Sequence, residues 1–233
     1  MQENARPTWA VPDNYVSETR PQQAFRELVV NGSVTVQFKR GPHPAFFVAG
    51  ETPGAVASVK TYFNGDKLII EREGITVVRS GSSISISGTV SGQISASDIL
   101  NINKTANYPS SAKVMVGISL PVAPAVTIKG SGDVALADLD QQSLDLSISG
   151  SGDIEVSGRV ASLRAGVTGS GDIDAHELLA ESATVAVTGS GDIECFVRSS
   201  VRARVTGSGD ITVLGNPQHR DHSVSGSGKI KFR

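Results

Sequence analysis

The second half of the chain alternates apolar and polar residues in short runs that recur at a nearly fixed interval. Apolar residues occupy every second position of a run, as at Ile193 and Cys195. A second alternating run, for example Ala183, Val185 and Val187, precedes each recurrence. A period of two residues is typical of a β-strand with one buried face. The pattern therefore predicts two inward-facing strands in each repeated unit.

The tetrapeptide Gly-Ser-Gly-Asp separates these runs five times, and a sixth, altered copy reads Gly-Ser-Gly-Lys. The copies begin 18 to 20 residues apart, at Gly130, Gly150, Gly169, Gly189, Gly207 and Gly226. This interval is too short for a helical repeat or a propeller blade and fits one coil of a β-solenoid. Because parallel strands joined by a crossover are almost always right-handed, we expect a right-handed solenoid.

The glycines of the tetrapeptide are interpreted as structural turn residues. Glycine alone reaches positive φ without a steric penalty, and stacked corners leave no room for side chains. A phosphate-binding loop opens a helix, whereas these corners open strands. The second corner of each coil varies in sequence, as at Glu177 and Leu178, and is expected to tolerate change. The structural glycines are Gly130, Gly132, Gly150, Gly152, Gly169, Gly171, Gly189, Gly191, Gly207, Gly209, Gly226 and Gly228.

The first half has no such repeat. It is predicted to consist of an N-terminal arm, residues 1–24, and an irregular β part, residues 25–129, which precede the regular half. Residues 1–24 contain prolines among polar residues and predict an extended or disordered arm. Residues 25–129 are strand-rich, and 130–233 form the regular solenoid. Strand-like runs are 28–30, 34–38, 46–48, 55–62, 67–70 and 113–121, with a turn at Asn64-Gly65-Asp66 and further short strands in the serine-rich stretch 75–103. The whole chain is predicted to be one all-β unit.

The composition and net charge of the chain argue against some classes of function. Only 5% of the residues are aromatic and 39% are hydrophobic, so the core is expected to consist of small aliphatic side chains. A net charge of −2 argues against a nucleic-acid partner. No run of 18 apolar residues occurs, which predicts no membrane span. The sequence at Met1 shows no basic and apolar leader, so no signal peptide is expected within this chain.

Several motifs occur in a fixed order from residue 25 onward. They are Phe25-x-x-Leu28-x-Val30-x-Gly32, Val34-x-Val36 before Gly41, Val59-x-Thr61 before Asn64-Gly65-Asp66-Lys67-Leu68-x-Ile70, Val114-x-Val116 through Leu120-Pro121, and Val126-x-Ile128-x-Gly130-Ser131-Gly132-Asp133-Val134. This order resembles the autotransporter adhesin head GIN domain family. The resemblance implies a right-handed β-helix-like fold similar to pectin lyases, export through a signal peptide, and a role in adhesion. It implies no catalytic residues.

Carboxylates recur with the repeat and form the candidate chemistry. Two positions after three of the aspartates come Glu155, Asp174 and Glu194. An active site should break the repeat at one place, and these carboxylates do not, so no catalytic residue is predicted. Either each aspartate caps its own glycine corner, or the column binds a row of cations. We favour capping, because calcium takes six to eight oxygen ligands. The column contains Asp133, Asp153, Asp172, Asp192 and Asp210.

The histidines, the cysteine and the C-terminal basic residues do not indicate a metal site or a catalytic site. His219 and His222 are expected in the last variable corner, and His43 and His176 stand apart from them, so no metal site is predicted. Cys195 lies at an inward position and is interpreted as a core thiol. The basic residues Lys229, Lys231 and Arg233 are expected to neutralise the neighbouring acids and to protect the last strand edge. No cofactor is predicted.

These observations predict a non-enzymatic, exported surface module that binds a protein or glycan partner in the periplasm or at the cell surface. Two alternatives stay open. A carbohydrate-active or glycan-binding protein would show a cleft lined by Trp9, Tyr15 or Tyr62 with converging carboxylates. A self-assembling protein, or a homo-oligomer, would use the strand edges at the solenoid ends.

Overall fold

The computed structural model describes residues 11–72, 75–80, 83–88 and 112–233. Its first half contains nine short strands and one short helix. They are β1 (Val16–Thr19), β2 (Glu27–Asn31), β3 (Thr35–Arg40), β4 (Ala45–Gly50), α1 (Pro53–Ala57), β5 (Val59–Asn64), β6 (Lys67–Arg72), β7 (Ile75–Ser80), β8 (Ser83–Gly88) and β9 (Val114–Leu120).

The second half is a regular solenoid whose coils pair side by side in parallel. Four long strands each run from one glycine corner to the next. The strands of this half are β10 (Ala125–Gly130), β11 (Asp133–Gly150), β12 (Ile154–Gly169), β13 (Ile173–Gly189), β14 (Ile193–Gly207), β15 (Asp210–Leu214), β16 (His219–Gly226) and β17 (Lys229–Phe232). The predicted all-β solenoid, with irregular coils followed by regular ones, is confirmed.

Alternate side chains of the long strands point into the solenoid and are buried, as the two-residue period predicts. Each long strand also bends near its middle, where the pairing register shifts, for example between Leu136 and Leu139. The bend turns a further apolar side chain into the core, so Leu139 is 2% exposed and Leu178 is 0% exposed. The second corner predicted at Glu177 and Leu178 coincides with a register shift between Ala175 and Leu179. Leu178 is buried there, so tolerance of change is not expected at this side chain.

Two glycines in each Gly-Ser-Gly corner meet different steric demands. The first glycine has a positive φ in all six corners, from 120° at Gly130 to 142° at Gly150. The second does not, but a Cβ atom at Gly191 would lie 2.0 Å from the carbonyl oxygen of Gly171 in the coil below. Positive φ thus accounts for the first glycine, and close backbone packing accounts for the second.

Four N-terminal strands continue the stack in an order that differs from their order along the chain. Strands β2 and β3 flank Gly32 and pair in parallel with β10 and β11. Strands β6 and β9 pair in parallel with the other edges of β2 and β3. The end of β6 and the start of β9 therefore lie where the later coils have a glycine corner.

Antiparallel strands close the N-terminal end of the solenoid. Strand β4 pairs with β9, β5 pairs with β6, and β1 pairs with the outer edge of β4. Helix α1 lies between β4 and β5, so the prediction of an uninterrupted strand from Ala55 to Tyr62 is wrong. The helix begins here because Pro53 suits a first turn and the Thr52 hydroxyl accepts a 3.1 Å hydrogen bond from the Ala55 N–H.

Two of the irregular segments contain strands among their described residues. Within the predicted arm, Val16–Thr19 form β1, and Trp9 lies outside the described residues. In the serine-rich stretch, β7 and β8 form an antiparallel hairpin, while the run 90–94 lies outside the described residues. One core cluster includes residues from both halves of the chain. The described residues contain no helix with the length and apolar character that crossing a bilayer would require.

Candidate functional site: the acidic face of the solenoid

Outward side chains on the strands that follow the glycine corners form one strongly acidic face. The face has two columns, because inward Ile154 lies between the outward acids Asp153 and Glu155, and the next two coils repeat this arrangement. Glu155 pairs in register with Asp174, and Asp174 with Glu194, in the second column. Neighbouring coils lie about 4.8 Å apart. The acidic face consists of Asp133, Asp153, Asp172, Asp192 and Asp210 in the first column and Glu155, Asp174 and Glu194 in the second.

The aspartates of the first column bond to the next coil. Oδ1 of Asp153 accepts a 3.0 Å hydrogen bond from the backbone N–H of Asp172, and Oδ1 of Asp172 accepts one of 2.7 Å from Asp192. The same bond joins Asp192 to Asp210 at 2.7 Å and Asp210 to Lys229 at 2.9 Å. The interpretation that each aspartate caps its own corner is therefore wrong.

The backbone of the corner explains this bonding pattern. The carbonyl oxygen of the first glycine accepts two hydrogen bonds from the coil above, as Gly150 does from Ser170 at 2.9 Å and Gly171 at 3.2 Å. The next N–H, that of Asp172, has the Asp153 carboxylate as its acceptor. Because a backbone N–H needs an acceptor, the aspartate serves as a side-chain replacement for a backbone carbonyl.

The carboxyl groups at the two ends of the first column have pKa values shifted in opposite directions. Burial raises the pKa of the Asp133 carboxyl above its ordinary value, and the negative charge of Asp153 adds to this rise. At the other end, Nζ of Lys231 lies 2.7 Å from Oδ2 of Asp210. This hydrogen bond is the main cause of the lowered pKa of Asp210. Among the described residues, an ion pair with a basic side chain therefore occurs in this column at its C-terminal end, at Asp210.

The second column makes fewer hydrogen bonds to the protein than the first. Asp174 contacts Nδ1 of His176, and this hydrogen bond raises the pKa of the imidazole above its ordinary value. Within the described part of the chain, the carboxylates of Glu155 and Glu194 have no hydrogen-bonded or ion-paired partner. These two side chains are consequently available to a ligand.

A depression of about 400 Å³ lies at the N-terminal end of the acidic face. Strand β3 contributes Thr35 and Gln37 to it, beside the carboxylates. Sequence reasoning missed these two residues, although the Gly32-Ser33 pair that precedes them resembles half of a glycine corner. The acids that line the depression are Asp133, Asp153, Glu155, Asp172 and Asp174.

The aromatic residues singled out in the sequence are not part of this depression. Tyr15 lines a neighbouring depression with Arg72, and the two depressions share Thr35 and Gln37. Tyr62 is 43% exposed and donates a 2.9 Å hydrogen bond to Glu71 on the adjacent strand. The predicted cleft of aromatic residues around converging carboxylates is therefore not assembled by Tyr15 and Tyr62.

The histidines and the cysteine lie apart from the acidic face, except for His176. His219 and His222 are on strand β16 and not in a corner, which corrects their predicted placement. The His222 ring packs edge-on against Phe232, with 5.3 Å between centroids. Burial of Cys195 raises its thiol pKa to about 12. The described residues contain no group of three His, Cys, Asp or Glu side chains arranged to hold a metal ion.

Comparison with solved structures places the fold among bacterial proteins named as adhesins. A protein from Bacteroides fragilis, titled a "putative adhesin", shares 19% identity and has a TM-score of 0.64, with 95% of this chain and 98% of that chain covered. A "putative lipid binding protein" from Parabacteroides distasonis also shares 19% identity, with coverages of 95% and 98% and a TM-score of 0.48. No curated protein matches the chain.

A protein-family model provides the stronger evidence. It matches residues 24–217, which include both the irregular coils and the glycine corners up to Gly207. The matched span agrees with the motif order that begins at Phe25. The chain therefore belongs to the family described as "Putative auto-transporter adhesin, head GIN domain".

Proposed function

We propose that this chain is a non-enzymatic, exported surface module that binds a cationic partner across its acidic face. Membership of an adhesin-type family supports a surface module in general terms. The observation that carries the proposal is the concentration of carboxylates on one face, whereas the chain as a whole has a net charge of only −2. Such asymmetry creates a local field that attracts ligands of the opposite sign.

The partner we propose is a lysine- or arginine-rich protein segment in extended conformation. Carboxylates repeat about every 4.8 Å up the face, so a chain lying across several coils would meet one or two acids at each step. Glu155 and Glu194 are free to bind, while the first column is used in part by backbone N–H groups. The second column should therefore provide most of the contacts.

An adhesive role accounts for the repetition better than catalysis does. General acid and base catalysis requires two carboxyl groups whose environments push their pKa values apart at one place. Here Glu155, Asp174 and Glu194 occupy equivalent positions in successive coils. Repeated equal sites are suited to multivalent binding, in which several weak contacts add to a useful affinity.

Binding to immobilised polylysine, measured by surface plasmon resonance, tests this proposal. The variant Glu155→Gln, Asp174→Asn, Glu194→Gln should weaken binding more than tenfold, and 0.5 M salt should do the same to the wild type. The matched control, Asp140→Asn, Asp145→Asn, Glu181→Gln, removes as many charges from outside the acidic face. Equal losses in both variants would show attraction to net charge alone and would contradict the proposal.

Glycan binding is the second candidate, favoured by the depression that contains Tyr15, Arg72 and Thr35 beside the acidic face. An aromatic ring next to hydroxyl and guanidinium groups can stack on a sugar and bond its oxygens. A glycan array, followed by an assay for new reducing ends, distinguishes glycan binding from carbohydrate-active chemistry.

The mass of the protein in solution tests the prediction of a homo-oligomer.

A further inference from the structure

An apolar cavity of about 310 Å³ lies at the N-terminal end of the solenoid, apart from the acidic face. Its floor is made by Phe46 and Ile118, which are 4% and 0% exposed, and its walls include the half-buried Phe25 and Phe63. The rings of Phe25 and Phe63 are 6.1 Å apart between centroids. Its lining is completed by Gln22, Gln23, Ala24, Pro44, Ala45, Leu120 and Pro121.

A short segment between β1 and β2 closes one side of the cavity. The Arg20 N–H donates to the Phe46 carbonyl at 2.9 Å, and the Arg26 N–H donates to the Asp66 carbonyl at 2.7 Å. Between these anchors, the Gln22 side-chain amide donates to the Pro44 carbonyl at 3.0 Å. The segment is therefore fixed at both ends and in the middle, which makes the cavity a pre-formed space.

The chemistry of the lining defines what the cavity can hold. None of its lining residues, all within the described part of the chain, is ionisable. A charged group would lose its hydration there without a compensating partner, so a charged ligand is excluded. Ligand pockets in proteins have volumes of about 300 to 1,000 Å³ and are mostly apolar, and this cavity meets both criteria.

The volume sets the size of the ligand. An engineered apolar cavity of about 150 Å³ holds benzene, which has six heavy atoms. A cavity of about 310 Å³ should hold roughly twice as many. We propose that the cavity binds one uncharged molecule with a hydrocarbon body of about twelve heavy atoms. The side-chain amides of Gln22 and Gln23 each donate one hydrogen bond to a backbone carbonyl. Each keeps its oxygen and a second N–H, which can bond a single polar end group of that molecule at the rim.

Saturation-transfer NMR with naphthalene as the probe, and with 1-decanol as competitor, tests this site. Naphthalene should bind saturably and be displaced by 1-decanol. Ala45→Leu, which fills the cavity from the start of β4, should weaken binding at least tenfold. Val122→Leu adds the same kind of apolar volume at a side chain that is 59% exposed and outside the cavity, and it should leave binding unchanged.

A second variant that fills the cavity, Ala24→Leu, keeps the test valid if Ala45→Leu does not fold. Each variant is first checked for a wild-type melting temperature in the absence of probe. The absence of saturable naphthalene binding to the wild type would overturn the proposal. So would equal binding by the wild type and by folded Ala45→Leu and Ala24→Leu. Because naphthalene is uncharged and the acidic face is not involved, failure here leaves the polylysine result unaffected.

Discussion

Oδ1 of Asp192 accepts a 2.7 Å hydrogen bond from the backbone N–H of Asp210, the equivalent residue of the next coil. The same bond recurs down the column, so each aspartate links two coils across the glycine corner. Carboxylates about 4.8 Å apart repel one another. Each bond to an N–H places a partial positive charge between two of them and offsets part of this repulsion.

The acceptor at position 192 can be tested separately from its charge. Asp192→Ala removes the acceptor for the Asp210 N–H and should lower the free energy of unfolding by about 1 kcal/mol. Asp192→Asn keeps an oxygen at the same place and relieves repulsion, so it should cost less. Urea denaturation midpoints measure both. An equal loss in the two variants would mean that the charge, and not the hydrogen bond, is what matters.

Calcium should have little effect on stability. The first column uses one carboxylate oxygen for an N–H in each coil, which leaves too few oxygens for the six to eight ligands of calcium. We expect millimolar calcium to leave the melting temperature nearly unchanged. A cation row with a hundredfold excess of ligand over Kd would instead add about 2.7 kcal/mol. A rise that disappears in Asp172→Asn would contradict our interpretation.

The second glycine of each corner should be irreplaceable. Gly191→Val places Cβ within 2.0 Å of the Gly171 carbonyl oxygen in the unshifted structure, and the resulting displacement should cost more than about 2 kcal/mol. Ser190 lies in the same corner with an exposed side chain, so Ser190→Val should cost much less. Thermal and urea denaturation midpoints compare the stability of the Gly191→Val and Ser190→Val variants. Similar midpoints for the two variants would refute the steric account of the corner.

Cys195 should be unreactive in the folded protein. Its side chain is 0% exposed, and burial raises its thiol pKa to about 12, so almost no thiolate forms at neutral pH. A thiol reagent should label it only at the rate of unfolding. Ser190→Cys in a Cys195→Ala background offers an exposed thiol for comparison and should react at once. Rapid labelling of native Cys195 would show that the inward and outward faces are reversed.

The Lys231 and Asp210 pair should make stability depend on pH. Because Lys231 lowers the folded-state pKa of Asp210, the pair stabilises the protein above the ordinary aspartate pKa of about 3.9. This stabilisation is lost as the pH falls through the folded-state pKa. Lys231→Met should therefore be less stable than the wild type at pH 7, with a smaller difference at pH 3. A difference that is the same at both pH values would exclude the ion pair as its cause.

The sequence by itself determined the regular half of the solenoid. Alternation of apolar residues and the recurrence of Gly-Ser-Gly are local signals, because each coil repeats the same steric problem at the same place. They sufficed to identify the inward position of Cys195 and the turn at Gly65, which has a φ of 63°. They also placed the acidic columns outward, since a two-residue period fixes both faces of a strand at once.

Only the tertiary structure decided how the N-terminal strands stack and what the aspartates bond. Strands β2 and β3 lie between β10 and β11 on one side and β6 and β9 on the other, a pairing over long sequence separations that no local period encodes. The acceptor role of Asp192 likewise depends on an N–H 18 residues away. Strand pairing and cavity lining are set by which distant backbone groups and side chains meet, so they follow from packing and not from pattern.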